Sequence, residues 1–481
     1  MVLSSDIQDL IMTTTFFWHD YETFGATPKS DRPAQFAGIR TDMDLNEIGD
    51  PFMFYCKPTL DALLPSLEAC LITGITPSHC EKQGITEREF AISIERELAS
   101  PGTIGVGYNS IRFDDEVTRF LFWRNLLDPY AREWQNNCGR WDLLDVVRGL
   151  YALFPESLSW PQSEEGAISF KLTQLSQANG LLHENAHDAL SDVRATLDLA
   201  RLIKKAQPKF FDFCLNLRKK DFVRTQLSLN VKRPLLHVSG MYGIERSCLA
   251  IVWPLAEHPT NKNEIIVWDL ATDPTILLDL DAKEIKTRLF TRSDELSNNN
   301  LRLPIKTISV NKSPFVMHDL RVLTPERIVR LNIDLAIIDK HAEIAKNLTL
   351  APNLWQHVYV RDKFDSLDVD EDLYGGFVPD HDRYLLNRLR TLDADKLTLE
   401  DPSFTDKRLN ELFFRYRARN FPGILNAEDQ AYWQTFCANK LNPRLPTFWK
   451  EFYILEQTAT EAQRVILMDI KSWVECYYNK L

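Results

Sequence analysis

The sequence has no Cys-x-x-Cys pair and no cysteine–histidine cluster with the spacing of a zinc site. Its eight cysteines are scattered, which predicts reduced thiols in a cytosolic protein. No apolar run approaches the roughly 18 residues of a membrane span. Residues 1–15 have no basic segment, so no signal peptide is predicted. These absences predict a cytoplasmic protein with no membrane partner.

An excess of positive charge is also missing, because 56 Lys and Arg residues face 68 Asp and Glu residues, giving a net charge of −12. This balance argues against a generally cationic nucleic-acid coat, but it leaves room for a locally basic channel. The hydrophobic content of 44% and the charged content of 26% are typical of soluble globular proteins. At 481 residues the chain is too long for one core and predicts about two to four domains.

The stretch that organises the chain is an aromatic-rich segment, residues 16–24, which predicts a strand closed by Gly25. Asp20 and Glu22 lie two positions apart in it, so both side chains should project from the same face. Two carboxylates among apolar residues repel one another and resist desolvation, and a divalent cation would neutralise both. The alternative is an exposed face on an edge strand.

Further elements follow in an order that predicts an α/β layer fold. A turn followed by a strand is predicted within 31–40, further strands at 52–56 and 103–108, and helices at 86–98, 114–127, 141–154, 169–179 and 186–206. The predicted 169–179 helix is capped by Ser169 and ended by Gly180. A first boundary is predicted at Lys204–Pro208. Beyond it, short β-type runs occupy 235–238, 249–253, 265–270 and 307–310, and helices are predicted at 383–392, 406–417, 427–440 and 462–477.

Three more residues extend the acidic pair into a candidate site. Asp114 begins a helix after the strand at 103–108, and Asp192 lies in the first turns of the 186–206 helix. His187 precedes Asp192 by five residues, so the two side chains are separated by about 140° around a helix and would not bind one metal side by side. His187 would instead approach from the flank, and a helix-capping histidine is the alternative.

Asp-x-Glu, a distant Asp after Asn-x-x-x-Phe, and His-x-x-x-x-Asp occur in this order, and together they resemble the DEDD exonuclease superfamily in its histidine subtype. The chain resembles the bacterial exonuclease I family more closely still, over residues 19 to 423. The segments that carry this resemblance are HDYETFG (19–25), DRPAQF (31–36), GYN with RFDDE (107–116), RWDLLD (140–145), ANG (178–180), NAHDA (185–189), HVSGM (237–241) and YRARNFPG (416–423).

The resemblance implies an α/β multidomain protein. It places an RNase H-like nuclease domain at 14–204, an SH3-like barrel domain at 208–355 and a helical C-terminal domain at 356–481. It also implies a processive 3′-to-5′ exodeoxyribonuclease that degrades single-stranded DNA to 5′-mononucleotides in DNA repair and recombination. Asp20, Glu22, Asp114, His187 and Asp192 would be its catalytic residues.

The four carboxylates favour hard cations, Mg²⁺ with Mn²⁺ as a substitute, over zinc. Two ions about 4 Å apart can hold the attacking and leaving oxygens of a phosphoryl displacement. Asp20 would bridge both ions, Glu22 and Asp192 would hold one, and Asp114 would help to hold the second. Neutral His187, with an ordinary pKa near 6.5, would accept a proton from the attacking water.

A mixture of cations and aromatic residues at 119–148 is typical of a surface for single-stranded DNA, although many of these aromatics must be core. By resemblance, substrate contacts fall on Glu22, Arg119, Tyr130, Trp134, Arg148, Phe170 and Lys171. The family pattern has an arginine where this chain has Lys171, and lysine keeps the charge but loses the two-pronged hydrogen bonding. Arg415, Arg417 and Arg419 would line a basic channel or pair with acids such as Glu411.

The resemblance further implies a monomer that docks the acidic tail of the single-stranded DNA-binding protein. Two competing functions are compatible with the sequence. One is a 3′–5′ exoribonuclease of the same superfamily, against which the roughly 280 residues after the nuclease domain argue. The other is a non-catalytic scaffold for single-stranded DNA, against which the five intact catalytic positions argue.

Overall fold

The structure, a computed structural model, describes residues 14–163, 166–181, 188–292, 294–296, 301–360 and 367–478. These residues form two compact units. The first comprises residues 14–140, 188–197 and 367–478, and the second comprises most of residues 141–181 and 198–360. Within the described residues, no helix combines the length and the apolar character that crossing a membrane requires.

The first sheet has five strands in the order β3-β2-β1-β4-β5. Their bounds are β1 Thr15–Thr23, β2 Pro33–Thr41, β3 Phe52–Tyr55, β4 Thr103–Gly107 and β5 Gly139–Asp142. Strand β1 pairs with β2 in antiparallel and with β4 in parallel orientation, so it is an inner strand. The predicted α/β class is confirmed, and the first three strands pair as an antiparallel meander. The alternative of an exposed edge strand for residues 16–24 is wrong.

The inner position of β1 explains its composition. Phe16, Phe17 and Trp18 are consecutive yet all buried, because both faces of the strand are covered and alternation with polar residues is not required. Phe17 belongs to a core in which β1 and β2 pack against the helices at 87–98 and 114–124. This packed support holds the strand that carries Asp20 and Glu22.

The described residues contain nineteen α-helices. They are α1 Leu67–Thr73, α2 Pro77–Gln83, α3 Glu87–Leu98, α4 Asp114–Arg124, α5 Leu143–Leu153, α6 Leu172–Ala178, α7 Ala189–Ala206, α8 Pro208–Asn216, α9 Lys220–Gln226, α10 Ala282–Phe290, α11 Pro325–Arg330, α12 Leu335–Asn347, α13 Leu354–Val358, α14 Asp380–Leu389, α15 Ala394–Leu397, α16 Arg408–Asn420, α17 Ala427–Leu441, α18 Leu445–Thr458 and α19 Glu461–Tyr478.

Several predicted boundaries differ from the observed ones. The helix predicted at 141–154 begins at Leu143, because residues 139–142 form β5 before it. The helix predicted at 169–179 is the shorter α6, which has Lys171 rather than Ser169 at its N-cap. Its predicted end is confirmed by Gly180, whose φ of 66° is in the left-handed region that glycine tolerates. Helix α18 was not predicted, and Pro446 in its first turn is a position that proline favours.

The second unit contains an antiparallel five-stranded sheet in the order β10-β6-β7-β8-β9. Its strands are β6 Leu235–Val238, β7 Leu249–Glu257, β8 Glu264–Asp269, β9 Ile305–Ser309 and β10 Phe315–Met317. The run predicted to stop at residue 253 continues as β7 through Pro254, where the register with β8 shifts. A bulge is one of the few places at which a strand accepts proline.

In the first unit, C-terminal helices share a core with the N-terminal residues. Leu67 and Cys70 of α1 pack in one cluster with Phe452 of α18 and Trp473 of α19. The side chains of the N-terminal part therefore bury part of their apolar surface against helices that lie more than 370 residues later in the sequence.

A buried ionic network crosses the same region. Arg419 pairs with Asp61 at 2.9 Å and with Asp370, and Arg32 also reaches Asp61 at 2.7 Å. Arg415 pairs with Glu411, Asp368 and Asp370. Of the two alternatives for the 415–419 arginines, pairing with acids is confirmed for Arg415 and Arg419, because both guanidinium groups are buried and occupied by carboxylates.

Candidate active site

Three carboxylates from two distant elements converge in the first unit. Oxygen atoms of Asp20, Glu22 and Asp192 all lie within 4.8 Å of one another. Asp20 and Glu22 project together because strand side chains repeat with a period of two. Asp192 joins them from the first turn of α7. The predicted common face of Asp20 and Glu22 is therefore confirmed, and α7 supplies the third carboxylate.

Asp114 approaches the same strand from the N-terminus of α4 and is buried. Its Oδ1 accepts a hydrogen bond of 3.1 Å from the backbone N–H of Tyr21, the residue between Asp20 and Glu22. The start of a helix favours a negative charge because of the helix dipole. This contact fixes the Asp114 carboxylate beside the other three, and its charge acts on both Asp20 and Glu22.

The electrostatics of the cluster are unfavourable without a cation. Burial, together with the neighbouring charges of Asp114 and Asp192, raises the pKa of Asp20 well above its usual value. Burial and the same two carboxylates raise the pKa of Glu22 to about 8. The three converging groups are all carboxylates, and an all-oxygen donor set is the kind that Mg²⁺ or Mn²⁺ prefers. The residues present therefore fit a divalent cation.

The two acids that follow Asp114 have other partners. Asp115 pairs with Arg132 at 2.6 Å and with Arg140 at 3.0 Å. Glu116 accepts hydrogen bonds from Arg119 and from the hydroxyl of Tyr374. Of the three consecutive acids in this helical turn, only Asp114 therefore joins the acidic cluster, whereas Asp115 and Glu116 form ion pairs with arginines.

His187, the predicted general base, lies outside the described residues. The chain is described again from Asp188, which is half-buried and precedes α7. Asp188 accepts a 3.0 Å hydrogen bond from the side-chain amide of Gln35 on β2. Sequence reasoning missed Gln35 as a functional candidate, although it lies in the DRPAQF segment that carried the family resemblance.

Besides Glu22 of the acidic cluster, three of the predicted DNA contacts lie in the first unit, namely Arg119, Tyr130 and Trp134. Arg119 is almost fully buried, and its guanidinium group is held by both carboxylate oxygens of Glu133 at 2.7 and 2.8 Å. It also lies 5.2 Å from the ring centre of Tyr130. The indole of Trp134, by contrast, is 65% exposed.

An apolar cleft of about 290 Å³ borders these aromatic residues. Among the residues that line it are Trp123, Tyr130, Trp134, Leu373 and Phe377. Exposed aromatic faces beside a cleft are suitable for stacking unpaired bases. Tyr130 and Trp134 therefore border this cleft, whereas Arg119 is already paired with carboxylates, and DNA contact by all three stays a prediction.

The remaining predicted contacts lie in the second unit. Arg148 donates to Asp145 at 2.7 Å within α5. Phe170 packs edge-on against Tyr151 and Trp160, with ring centres 5.5 and 6.1 Å away. Lys171 is exposed at the start of α6, where its ammonium group is accessible to a phosphate.

Comparisons with known proteins address the whole chain. The family model described as Exonuclease matches residues 17–200, that of the Exonuclease I SH3-like domain matches 218–361, and that of the Exonuclease I C-terminal domain matches 367–477. Exodeoxyribonuclease I of Haemophilus influenzae is 43% identical over 435 residues, which cover 90% of this chain and 92% of that protein.

Two solved structures of Escherichia coli exonuclease I are also similar. One, in complex with a dA16 oligonucleotide, has a TM-score of 0.92 and 40% identity, covering 96% of this chain and all of the other. The second is a zinc-bound form of a complex with single-stranded DNA. It has a TM-score of 0.91 and 40% identity, covering 97% of this chain and all of the other.

The nuclease fold with its acidic cluster, the SH3-like domain and the helical C-terminal domain define a 3′–5′ exonuclease, a hydrolase of phosphodiester bonds. The chain belongs to the bacterial exonuclease I family. The predicted family and fold class are thereby confirmed, and the alternative of a non-catalytic scaffold is wrong.

Proposed function

We propose that this exonuclease is a Mg²⁺-dependent enzyme that degrades single-stranded DNA processively from the 3′ end to 5′-mononucleotides. The observation that carries this proposal is the convergence of Asp20, Glu22 and Asp192 within 4.8 Å. The zinc-bound form of a relative supports divalent-metal chemistry in the family. An all-oxygen donor set favours Mg²⁺, with Mn²⁺ as a substitute, over zinc.

In this proposal Asp20, Glu22, Asp114 and Asp192 hold the cations, with Asp20 contributing to both ions. The bound ions would neutralise the charge that develops on the phosphodiester and lower the pKa of a bound water. Asp114 would keep its position through the Tyr21 N–H, so that its carboxylate is oriented before substrate arrives. His187 would accept the proton of the attacking water, as a group with an ordinary pKa near 6.5 can do at neutral pH.

Single-stranded DNA is proposed as the substrate because the E. coli relative has been solved with such oligonucleotides. The exposed indole of Trp134 beside the aromatic cleft would stack a base. Lys171 would meet a phosphate as a point charge, without the planar fork of an arginine. Glu22, Arg119, Tyr130, Arg148 and Phe170 complete the proposed substrate-binding set.

We retain three further features of the family as proposals. The domain division is 14–204, 208–355 and 356–481, and the extents of the three matching family models support it. The enzyme would act as a cytoplasmic monomer in DNA repair and recombination. Its protein partner would be the acidic tail of the single-stranded DNA-binding protein.

The test is a digest of matched DNA and RNA oligonucleotides, labelled at the 5′ end, with Mg²⁺, with Mn²⁺ and with excess chelator. We expect DNA to be shortened from its 3′ end with release of mononucleotides, and we expect chelator to stop the reaction. A competitor strand added after binding would reveal processivity as continued shortening of the labelled strand. Equal cleavage of RNA, or cleavage that persists in chelator, would contradict the proposal.

The matched variants are Asp192→Asn and Asp198→Asn, which both remove one carboxylate from α7. Asp198 pairs with Arg201 at 2.8 Å on a partly exposed part of the helix. We expect Asp192→Asn to abolish digestion and Asp198→Asn to retain it. Full activity in Asp192→Asn would show that the acidic cluster is not the active site.

A further inference from the structure

Gln35 is a fully buried amide directly across the sheet from the acidic strand. It lies on β2, opposite Glu22 of β1 in the register of the two strands. Its Nε2 donates to Oδ1 of Asp188 at 3.0 Å and to the Tyr55 hydroxyl at 3.3 Å, while its Oε1 accepts the N–H of Ala189 at 3.0 Å. The amide orientation is thereby fixed, since the reverse one would oppose two donors at Ala189 and two acceptors at Asp188.

These contacts tie the start of α7 to the sheet. Ala189 is the first residue of the helix, and N–H groups in the first helical turn have no partner within the helix itself. Gln35 satisfies the N–H of Ala189, and the second oxygen of Asp188 accepts the N–H of Ser191 at 3.2 Å. The Gln35 side chain of β2 is therefore hydrogen-bonded both to the first residue of α7 and to the residue before it.

Asp192 lies one turn further along α7, where its carboxylate meets those of Asp20 and Glu22. Like charges at this distance repel one another. If the start of α7 were free to move, this repulsion would displace Asp192 away from β1. The Gln35 contacts oppose that movement, because the amide is fully buried and water cannot replace the lost hydrogen-bond partners. Breaking them would leave buried polar groups without hydrogen bonds.

We infer that Gln35 is a positioning residue that holds the N-terminus of α7 so that Asp192 completes the cation site with Asp20 and Glu22. The inference rests on the proposed cation-binding role of these carboxylates. Partners that orient metal ligands typically change metal affinity by about 10–100-fold when they are removed. Gln35 would act on Asp192 through the helix start rather than through a bond to the carboxylate itself.

The experiment measures Mn²⁺ binding to the full chain by calorimetry, without DNA, together with amide hydrogen exchange at residues 188–192. We expect Gln35→Met, which keeps length but removes all three hydrogen bonds, to bind Mn²⁺ about 10–100-fold more weakly. Exchange at residues 188–192 should become faster. The control Thr41→Val alters another fully buried polar residue of β2, which accepts from the Trp18 indole at 3.0 Å. It should leave Mn²⁺ affinity unchanged.

An exchange of groups tests the contact itself. Gln35→Glu places a carboxylate against Asp188 and should weaken Mn²⁺ binding, whereas Gln35→Glu combined with Asp188→Asn restores one donor and one acceptor and should recover affinity. If Gln35→Met does not fold, Asp188→Ala removes one of the three Gln35 hydrogen bonds from a half-buried position and should weaken Mn²⁺ binding by a smaller factor. Wild-type affinity and exchange in Gln35→Met, or in Asp188→Ala, would overturn the inference.

A separate comparison distinguishes the failure of the cation site from the failure of the positioning role. If the unaltered chain binds no Mn²⁺, or if Asp192→Ala binds it as tightly as the unaltered chain, the proposed cation site fails. If Asp192→Ala loses Mn²⁺ binding while Gln35→Met keeps it, the cation site stands and the positioning role of Gln35 fails.

Discussion

The carboxylate of Asp114 accepts a hydrogen bond of 3.1 Å from the backbone N–H of Tyr21, the residue between Asp20 and Glu22. A side chain from the start of α4 is thus attached to the main chain of the strand that carries the other acids. The contact depends on an acceptor oxygen, whereas the proposed catalytic contribution depends on the negative charge. Substitution by asparagine separates these two properties.

Asp114→Asn should therefore keep the fold and lose turnover. The amide oxygen can still accept from Tyr21, but the charge is removed, and we expect turnover to fall by roughly 10²-fold or more, the effect of losing one group from an electrostatic site. Steady-state digestion of single-stranded DNA measures the loss, and thermal unfolding checks the fold. Glu116→Gln, in the same helical turn but paired with Arg119 and Tyr374, is the control and should retain most activity. Comparable losses in both variants would contradict a special role for Asp114.

Trp134→Ala should weaken binding of single-stranded DNA. The indole is 65% exposed beside the aromatic cleft, and stacking on an aromatic ring contributes about 1–3 kcal/mol per base. Fluorescence anisotropy of a labelled oligonucleotide in chelator measures affinity without cleavage. Tyr453→Ala removes another exposed aromatic residue, on α18, and should leave affinity unchanged. Unchanged binding by Trp134→Ala would remove this residue from the proposed surface.

Acid should destabilise the buried ionic network. Burial alone raises the pKa of Asp370, but Arg419 and Arg32 outweigh it and hold that pKa below its usual value. Burial likewise raises the pKa of Asp61, but Arg419 and Arg32 outweigh burial and hold that pKa well below its usual value. Since the unfolded carboxyl groups bind protons near pH 3.9, this stabilisation is complete above that pH and is lost as the pH falls through the folded pKa values.

Asp370→Asn should lower the free energy of unfolding near neutral pH by about 3 kcal/mol, because it breaks a buried ion pair. The difference between this variant and the unaltered chain should shrink as the pH falls below about 4. Urea unfolding at several pH values gives both quantities. The control Asp319→Asn breaks an exposed pair with Arg321 and should have little effect at any pH. A difference that stays constant with pH would exclude titration of Asp370 as its cause.

A fragment ending at residue 204 keeps the four carboxylates but should not fold stably. It loses the α18 and α19 side chains that share a core with Leu67 and Cys70. Uncovering a few such side chains costs about 1.5–3 kcal/mol each, which approaches the whole stability of a domain. The fragment also leaves Asp61 without Arg419.

Solubility and circular dichroism of the fragment measure this effect. Addition of residues 367–481 as a separate chain is the complementary experiment, because it should restore soluble protein if the shared core is the cause. A soluble fragment with the unfolding midpoint of the full chain would show that the C-terminal helices contribute little to the stability of the nuclease part.

The sequence by itself determined the chemistry and the local structure. Period-two geometry places Asp20 and Glu22 on one face of any strand, and the aromatic-rich composition of residues 16–24 predicted that strand. The same local rules predicted β6 with its observed bounds and the helical texture after residue 380. These features depend on neighbours within a few positions, so the order of residues contains the necessary information.

Only the tertiary structure decided which distant groups meet. Whether Arg415 and Arg419 faced DNA or carboxylates depended on Asp61 and Asp370, which lie up to 358 residues away. The same holds for β5, whose last two residues were predicted to be helical, and for Gln35, whose partners Asp188 and Ala189 lie more than 150 residues later. Such pairings follow from long-range packing and from the need of each buried charge or amide for a partner. A single sequence leaves many partners available to each of these groups, and the fold selects one.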